Sequence, residues 1–348
     1  MADIVNLAPT EAAPPVGGPP AGKNAPQRNQ SVWRWRLGAV LRKVVHLSLV
    51  LVIVTFSVTV LLSRSSNAAS QILGPNATAE QIATMKAQLG LDQPVIVQYL
   101  TWVGNALQGD LGRSLLNKAP VTQTISNGME VTFTLIFLSL FMALVIAVPL
   151  AAYAARHPGG LLDTLCNAAS SFFIAMPSFV LALLLLLVFS VNLGWFPVSG
   201  WVPITEDVIA SVRSFFLPAL AIALTPMATF YRLLRSDMIT TLQQDFVLTA
   251  KSKGLSTRYI LVRHALRPSL TTVVTMLGLS VGMLITGAVL AESIFRLPGL
   301  GSSMVNAVTK GDLPVVQGLV LVIALIYILT NAAVDFIQTL IDPRIQAS

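Results

Sequence analysis

The chain has 348 residues, 54% of them hydrophobic and only 11% charged, with a mean hydropathy of +0.75. A soluble domain carries about 25% charged residues, so this balance excludes a soluble globular protein and points to an integral membrane protein. The net charge of +7 raises nucleic acid as a partner, but its distribution along the chain reads instead as membrane topology.

A helix needs roughly 20 apolar residues to cross a bilayer. Six runs qualify: Val44–Leu62, Val131–Ala155, Leu165–Leu193, Phe215–Tyr231, Ser269–Ala291 and Pro314–Val334. The fourth is short and holds Pro218 and Pro226. None alternates with period two, and all exceed the ~10 residues of a barrel strand. The expected fold is therefore an all-α polytopic membrane protein with six transmembrane helices. With the N-terminus in the cytoplasm, fifteen of the 22 Lys and Arg fall on that side. The positive-inside rule then places both termini there.

Residues 1–30 are rich in Pro, Ala and Gly without apolar periodicity, which predicts a disordered cytoplasmic tail ahead of a membrane domain over 31–348. Trp33 and Trp35 alternate with Arg34 and Arg36, a pattern suited to the membrane interface. The first span is longer than the apolar core of a signal peptide, which favours a retained anchor over a cleaved leader. An external segment comes next, about 63–127. In it Thr78-Ala-Glu-Gln81 fits a capping box for a helix running to about Leu89 and Gly90. A second helix begins near Pro94, and Gly109-Asp-Leu-Gly-Arg-Ser114 turns the chain back, so an ordered cap is expected. Two further external loops are Gly194–Trp201 and Glu292–Gly301.

Cys166, the single cysteine, excludes an internal disulfide and a cysteine-rich metal framework. His46, His157 and His264 are far apart and form no zinc-protease motif. Gly17–Asn24 matches the spacing of a phosphate-binding loop but has Asn24 where Ser or Thr should contact magnesium. Its prolines also preclude the strand–loop–helix setting, so no nucleotide site is expected in this chain. Asn76-Ala-Thr78 is a glycosylation tripeptide of a kind common by chance. Glu130, Glu292 and Asp335 lie near span ends, leaving no carboxylate relay in mid-membrane for an ion-coupled carrier. Breaks at Met176-Pro177, Pro218 and Pro226 still allow ions to be bound by carbonyls, so that alternative stays open. Gly278 and Gly282 are spaced for close helix packing, static or mobile.

The segment Asp245–Pro268 is the most specific local signal. Asp245 is an expected N-cap, and Phe246, Val247 and Ala250 give a first short helix an apolar side. Gly254 is placed for the left-handed stop with Leu255 as its apolar partner. Ser256 then caps a second helix, Arg258–Leu266, expected to end before Pro268. Three readings compete. The loop lies on anionic lipid through Lys251, Lys253, Arg258, Arg263 and Arg267; it reads DNA, against which its shortness and double tether argue; or it docks into a groove on a cytoplasmic protein.

Thr249-Ala-Lys-Ser-Lys-Gly254 with Arg263-His-Ala-Leu-Arg267 resembles the coupling-helix loop of ABC importer permeases, most closely the B-type subunit of the dipeptide/oligopeptide branch. The likeness continues in Gly90–Pro94, Gly109–Ser114, Leu193–Gly200, Glu292–Gly301, Leu313–Gly318 and Asp342–Ile345, covering roughly 35–345. Leu248-Thr249-Ala250 stands where the wider superfamily often has Glu-Ala-Ala. The resemblance implies a non-catalytic permease of the bacterial inner membrane, paired with a homologous C-type permease and two ABC ATPase domains or subunits. Those subunits would bind ATP and magnesium, with no cofactor in this chain. An external binding protein would deliver a peptide, or else glutathione or a nickel chelate. On the same resemblance, ATPase coupling falls to Asp245, Ala250, Lys251, Lys253, Gly254, Leu255, Ser256, Arg263, His264 and Leu266.

Overall fold

The computed structural model describes residues 45, 48–61, 77–88 and 92–341. The chain divides into two compact units, Met1–Ser48 and Leu49–Ser348. The expected tail at 1–30, Trp33 and Trp35, His46, Asn76, Gly90 and Asp342–Ile345 lie outside the described residues.

Among the described residues the elements are helical, apart from one isolated bridge between Arg113 and Pro120. We number the helices α1 (Ser48–Leu61), α2 (Ala79–Gln88), α3 (Val95–Leu107), α4 (Val121–Arg156), α5 (Leu161–Ala175), α6 (Ser178–Leu185), α7 (Val208–Leu242), α8 (Asp245–Ser252), α9 (Thr257–Tyr259), α10 (Arg267–Phe295), α11 (Leu300–Thr309) and α12 (Leu313–Ile341). Among the described residues, three helices are long and apolar enough to span a membrane, or five if each of two bent pairs is one span.

The core runs along α7. Ala143, Ala147, Ala151 and Ala154 form a small-residue stripe on α4, against which Phe230, Tyr231, Leu234 and Met238 of α7 are buried. Small side chains on one helix let large ones on the other approach in a medium that supplies no hydrophobic drive between helices. Further along α7, Phe215, Leu217 and Ile222 meet Val131 and Leu135 of α4 and Leu284, Ala288 and Phe295 of α10. A third cluster joins Val121 and Ile125 of α4 to Leu300 of α11 and to Val315, Val316 and Leu319 of α12.

The elements depart from the expected boundaries in four places. The short fourth run is the middle of a 35-residue helix, α7, that continues through Pro218 and Pro226. Both prolines are buried, and surrounding helices hold the chain helical where the ring removes a hydrogen bond. The third run is two helices, α5 and α6, bent by 108°. Met176, before Pro177, is extended with φ −85° and ψ 131°, as steric conflict with the proline ring requires. The second run begins at Val121, inside the expected cap. Finally, the external loop expected over Glu292–Gly301 gives way at Leu300 to a further helix, α11.

Thr78 and Gln81 form the expected reciprocal cap of α2; the end of the bundle where α4 starts is here the cap end. The Thr78 amide donates to Gln81 Oε1 at 2.9 Å, and the Gln81 amide donates to Thr78 Oγ1 at 3.3 Å. Tyr99 on α3 shares a 2.9 Å hydrogen bond with Thr55 on α1 and packs its ring edge-on to Phe56. The 109–120 turn has left-handed glycines at Gly109 and Gly112, both φ +87°. Buried Asp312 holds it, accepting from Ser114 Oγ at 2.5 Å and from the Leu115 amide at 3.0 Å.

Candidate functional site: the helix–glycine–helix loop

α7 ends at Leu242, and three residues later α8 begins. Gln244 occupies the N-cap without a side-chain bond, and Asp245 is the first helical residue rather than the expected cap. Its carboxylate, exposed in the first turn, faces the positive end of the helix dipole instead of bonding an amide. Val247, Ala250 and Ile260 are buried together, with Leu242 packed on them, and form a small core of the loop's own.

The stop after α8 has the full hydrogen-bonding pattern of a left-handed cap. Gly254 has φ +77°, its amide donates to Lys251 O at 2.9 Å, and the Leu255 amide donates to Ala250 O at 3.3 Å. Ser256 Oγ then accepts from the Tyr259 amide at 3.4 Å and starts α9.

The second helix does not end before Pro268. A π-helical stretch, Ile260–Leu266, joins α9 to α10 without a break, so the chain stays helical from Thr257 to Phe295. Wider turns with i→i+5 bonds ease the clash between a proline ring and the carbonyl one turn earlier. The second half of the loop is therefore continuous with the first part of α10, up to a 47° bend after Gly278.

The predicted residues fall into three groups. Ala250 is buried inside the loop and Leu266 packs against the α4–α7 core. His264 lies between Phe246 of α8 and Tyr259 of α9, with ring centroids 6.4 Å and 5.6 Å away, and ties the two halves together. Asp245, Lys251, Lys253, Leu255, Ser256 and Arg263 are exposed. The exposed surface also carries the apolar side chains of Phe246, Leu248, Tyr259 and Val262 and the cations Arg258 and Arg267. Gly278 and Gly282 are remote from the loop and face α12: an added Cβ would run into Val334 and Tyr327, respectively.

Three polar clusters have no signature in the sequence that names their partners. Near the loop, Asp163 at the start of α5 is 3% exposed, and its carboxylate accepts from the preceding turn, from α5 itself and from α7. The donors are the Gly159 amide at 2.8 Å, Asn167 Nδ2 at 2.9 Å, Tyr231 Oη at 3.1 Å, Arg235 Nη2 at 2.6 Å and Arg235 Nε. At the cap end, the Asp312–Ser114 contact and a fully buried Glu292 play similar parts. An acid just outside an apolar run is the one available signal, and it does not disclose what the acid meets.

A bundle of apolar helices with several long enough to cross a bilayer, carrying one folded loop with exposed cations, is a multi-pass membrane protein. The chain belongs to the family of inner membrane components of binding-protein-dependent transport systems, whose profile matches residues 147–347, while the family's N-terminal profile matches 36–136. It is 38% identical over 298 residues to a Brucella abortus protein named for a peptide transport system permease, covering 86% of this chain and 94% of that one. It is 35% identical over 260 residues to the oligopeptide transport system permease protein AppB of Bacillus subtilis, covering 74% and 82%. The MetNI methionine ABC transporter, solved in inward facing conformations, has a similar fold. The TM-score is 0.51 at 16% identity, covering 64% of this chain and 97% of that one.

Proposed function

We propose that this chain is the B-type permease of a peptide-importing ABC transporter. It forms half of the translocation path, with a homologous C-type permease as the other half. The loop end and both termini are cytoplasmic, and two ATPase domains or subunits that bind ATP and magnesium grip the Asp245–Pro268 loop. A binding protein delivers peptide at the cap end. The relatives named for peptide transport support the substrate class.

The observation that carries this reading is the loop's construction. A soluble partner can drive membrane helices only through an element that is stiff, exposed and continuous with them. The loop has its own core and a hydrogen-bonded stop at Gly254. Its exposed apolar side chains suit helix-in-groove recognition, and its second half runs on as α10. ATP acts by favouring one conformation through this contact, because a ligand shifts an equilibrium only by its differential affinity. Reversing a 99:1 balance takes about 5.5 kcal/mol.

Affinity purification of the tagged chain in mild detergent, with mass spectrometry of its companions, tests the reading. Recovery of a second permease and ATPase subunits is the expected result. A stable chain that purifies alone, and transports alone in liposomes, sinks it in favour of an ion-coupled carrier.

A further inference from the structure

α5 is fastened to α7 at both of its ends. At the loop end, Asp163 takes the two-pronged contact from Arg235 together with the Tyr231 hydroxyl, both donors on α7. At the other end, Thr225 Oγ1 of α7 donates at 3.3 Å to the carbonyl of Phe173, which Pro177 leaves without its helical donor. Immediately beyond that bond the chain breaks at Met176–Pro177 and turns by 108° into α6.

A buried ion pair adds little net stability, because desolvation offsets much of the attraction; its best-attested role is to fix register. Here the register fixed is that of α5 on the terminal portion of α7. Arg235 lies about two turns before Leu242, where α7 gives way to the loop. We propose that the Asp163–Arg235 clamp makes α5 move as one body with α7, so that displacement of the loop reaches the Met176–Pro177 break as a change in the angle between α5 and α6. The break opens onto a cavity of about 230 Å³ lined by Met176, Ser178, Thr225, Pro226, Met283 and Gly287. The clamp residues are thus positioning residues for transport: they connect the loop to a wall of that cavity without touching what passes through. This inference rests on the coupling role proposed for the loop.

The test measures distances and coupling in the assembled transporter. Spin labels are placed in a Cys166→Ser chain at Leu165 on α5, Leu183 on α6 and Ser236 on α7, all exposed positions. The Leu165–Ser236 distance is expected to be the same with and without trapped ATP, while the Leu165–Leu183 distance changes. The paired variant Asp163→Leu with Arg235→Met removes the charges without leaving one unpaired. It is expected to keep assembly and ATP hydrolysis but to import roughly tenfold less substrate per ATP, within the range reached by changes along a packed network. In that variant the Leu165–Ser236 distance becomes nucleotide-dependent. A purely structural clamp would lower assembly and leave the ratio of import to hydrolysis intact, and that outcome overturns the proposal. So does a Leu165–Ser236 distance that already changes with nucleotide when the ion pair is present. Absence of ATP-dependent uptake with the native pair instead defeats the coupling reading itself, and the clamp with it.

Discussion

Thr132 on α4 donates to the carboxylate of Glu292 on α10 at 2.6 Å, across 160 positions of sequence. The same hydroxyl oxygen accepts from the Leu300 amide at 2.9 Å, and the second carboxylate oxygen accepts from the Ser302 amide at 2.9 Å. Glu292 is fully buried, and its oxygens are satisfied by the Thr132 hydroxyl and by an amide in the first turn of α11. One side chain therefore caps α11 and holds it to α4 and α10 together. Gly299 permits the approach, since a Cβ there would collide with the carboxylate.

Removing that carboxylate strands buried donors. Glu292→Ala is expected to cost about 3 kcal/mol, the scale of leaving such groups unsatisfied, and Glu292→Gln less, because one acceptor remains. Thermal unfolding in detergent, followed by fluorescence-detected size exclusion, reads the order native, Gln, Ala. Equal midpoints for all three would show that the network holds nothing.

The Gly254 stop demands a left-handed residue and a donor. Alanine there costs about 1 kcal/mol of backbone strain, asparagine less, and proline also deletes the bond to Lys251 O. Gly254→Pro is expected to uncouple ATP hydrolysis from uptake while the protein still inserts, with asparagine and alanine intermediate. Normal uptake by the proline variant at normal expression would defeat this.

Gly278 and Gly282 differ in what an added methyl meets. The obstacle at Gly278 is the branched side chain of Val334, and at Gly282 the half-exposed ring of Tyr327. Overpacking costs about 1–3 kcal/mol where neighbours cannot yield, so Gly278→Ala should destabilise more than Gly282→Ala. Val334→Ala should rescue the first. A double-mutant cycle measures that rescue, and simple additivity would refute the contact.

What is legible in the sequence is local. The cap at Thr78 and Gln81, the stop at Gly254 and the cap at Ser256 each depend on residues within one turn, and all three form as spacing requires. What is hidden needs the fold. Asp163 meets Arg235 across 72 positions and Ser114 meets Asp312 across 198, and composition names neither pair. Proline misleads in both directions for one reason: its local effect is steric, but packing decides the outcome. Pro177 ends a helix, whereas Pro218, Pro226 and Pro268 are absorbed by a buried helix or a π-helical stretch.

Asp312 should govern the cap turn. Asp312→Ala deprives Ser114 Oγ and the Leu115 amide of their acceptor, and the turn is expected to open to limited proteolysis between Gly109 and Pro120 with the helical bundle intact. An unchanged digestion pattern would place the turn's stability elsewhere.

The central claim is that this chain moves peptide only as part of an ATP-driven assembly. Its most direct test is uptake of a labelled dipeptide and oligopeptide series by proteoliposomes holding the purified complex. Uptake that requires ATP, the binding protein and an intact Gly254 is the predicted result. Uptake by this chain alone, driven by an ion gradient and indifferent to the loop, would contradict it.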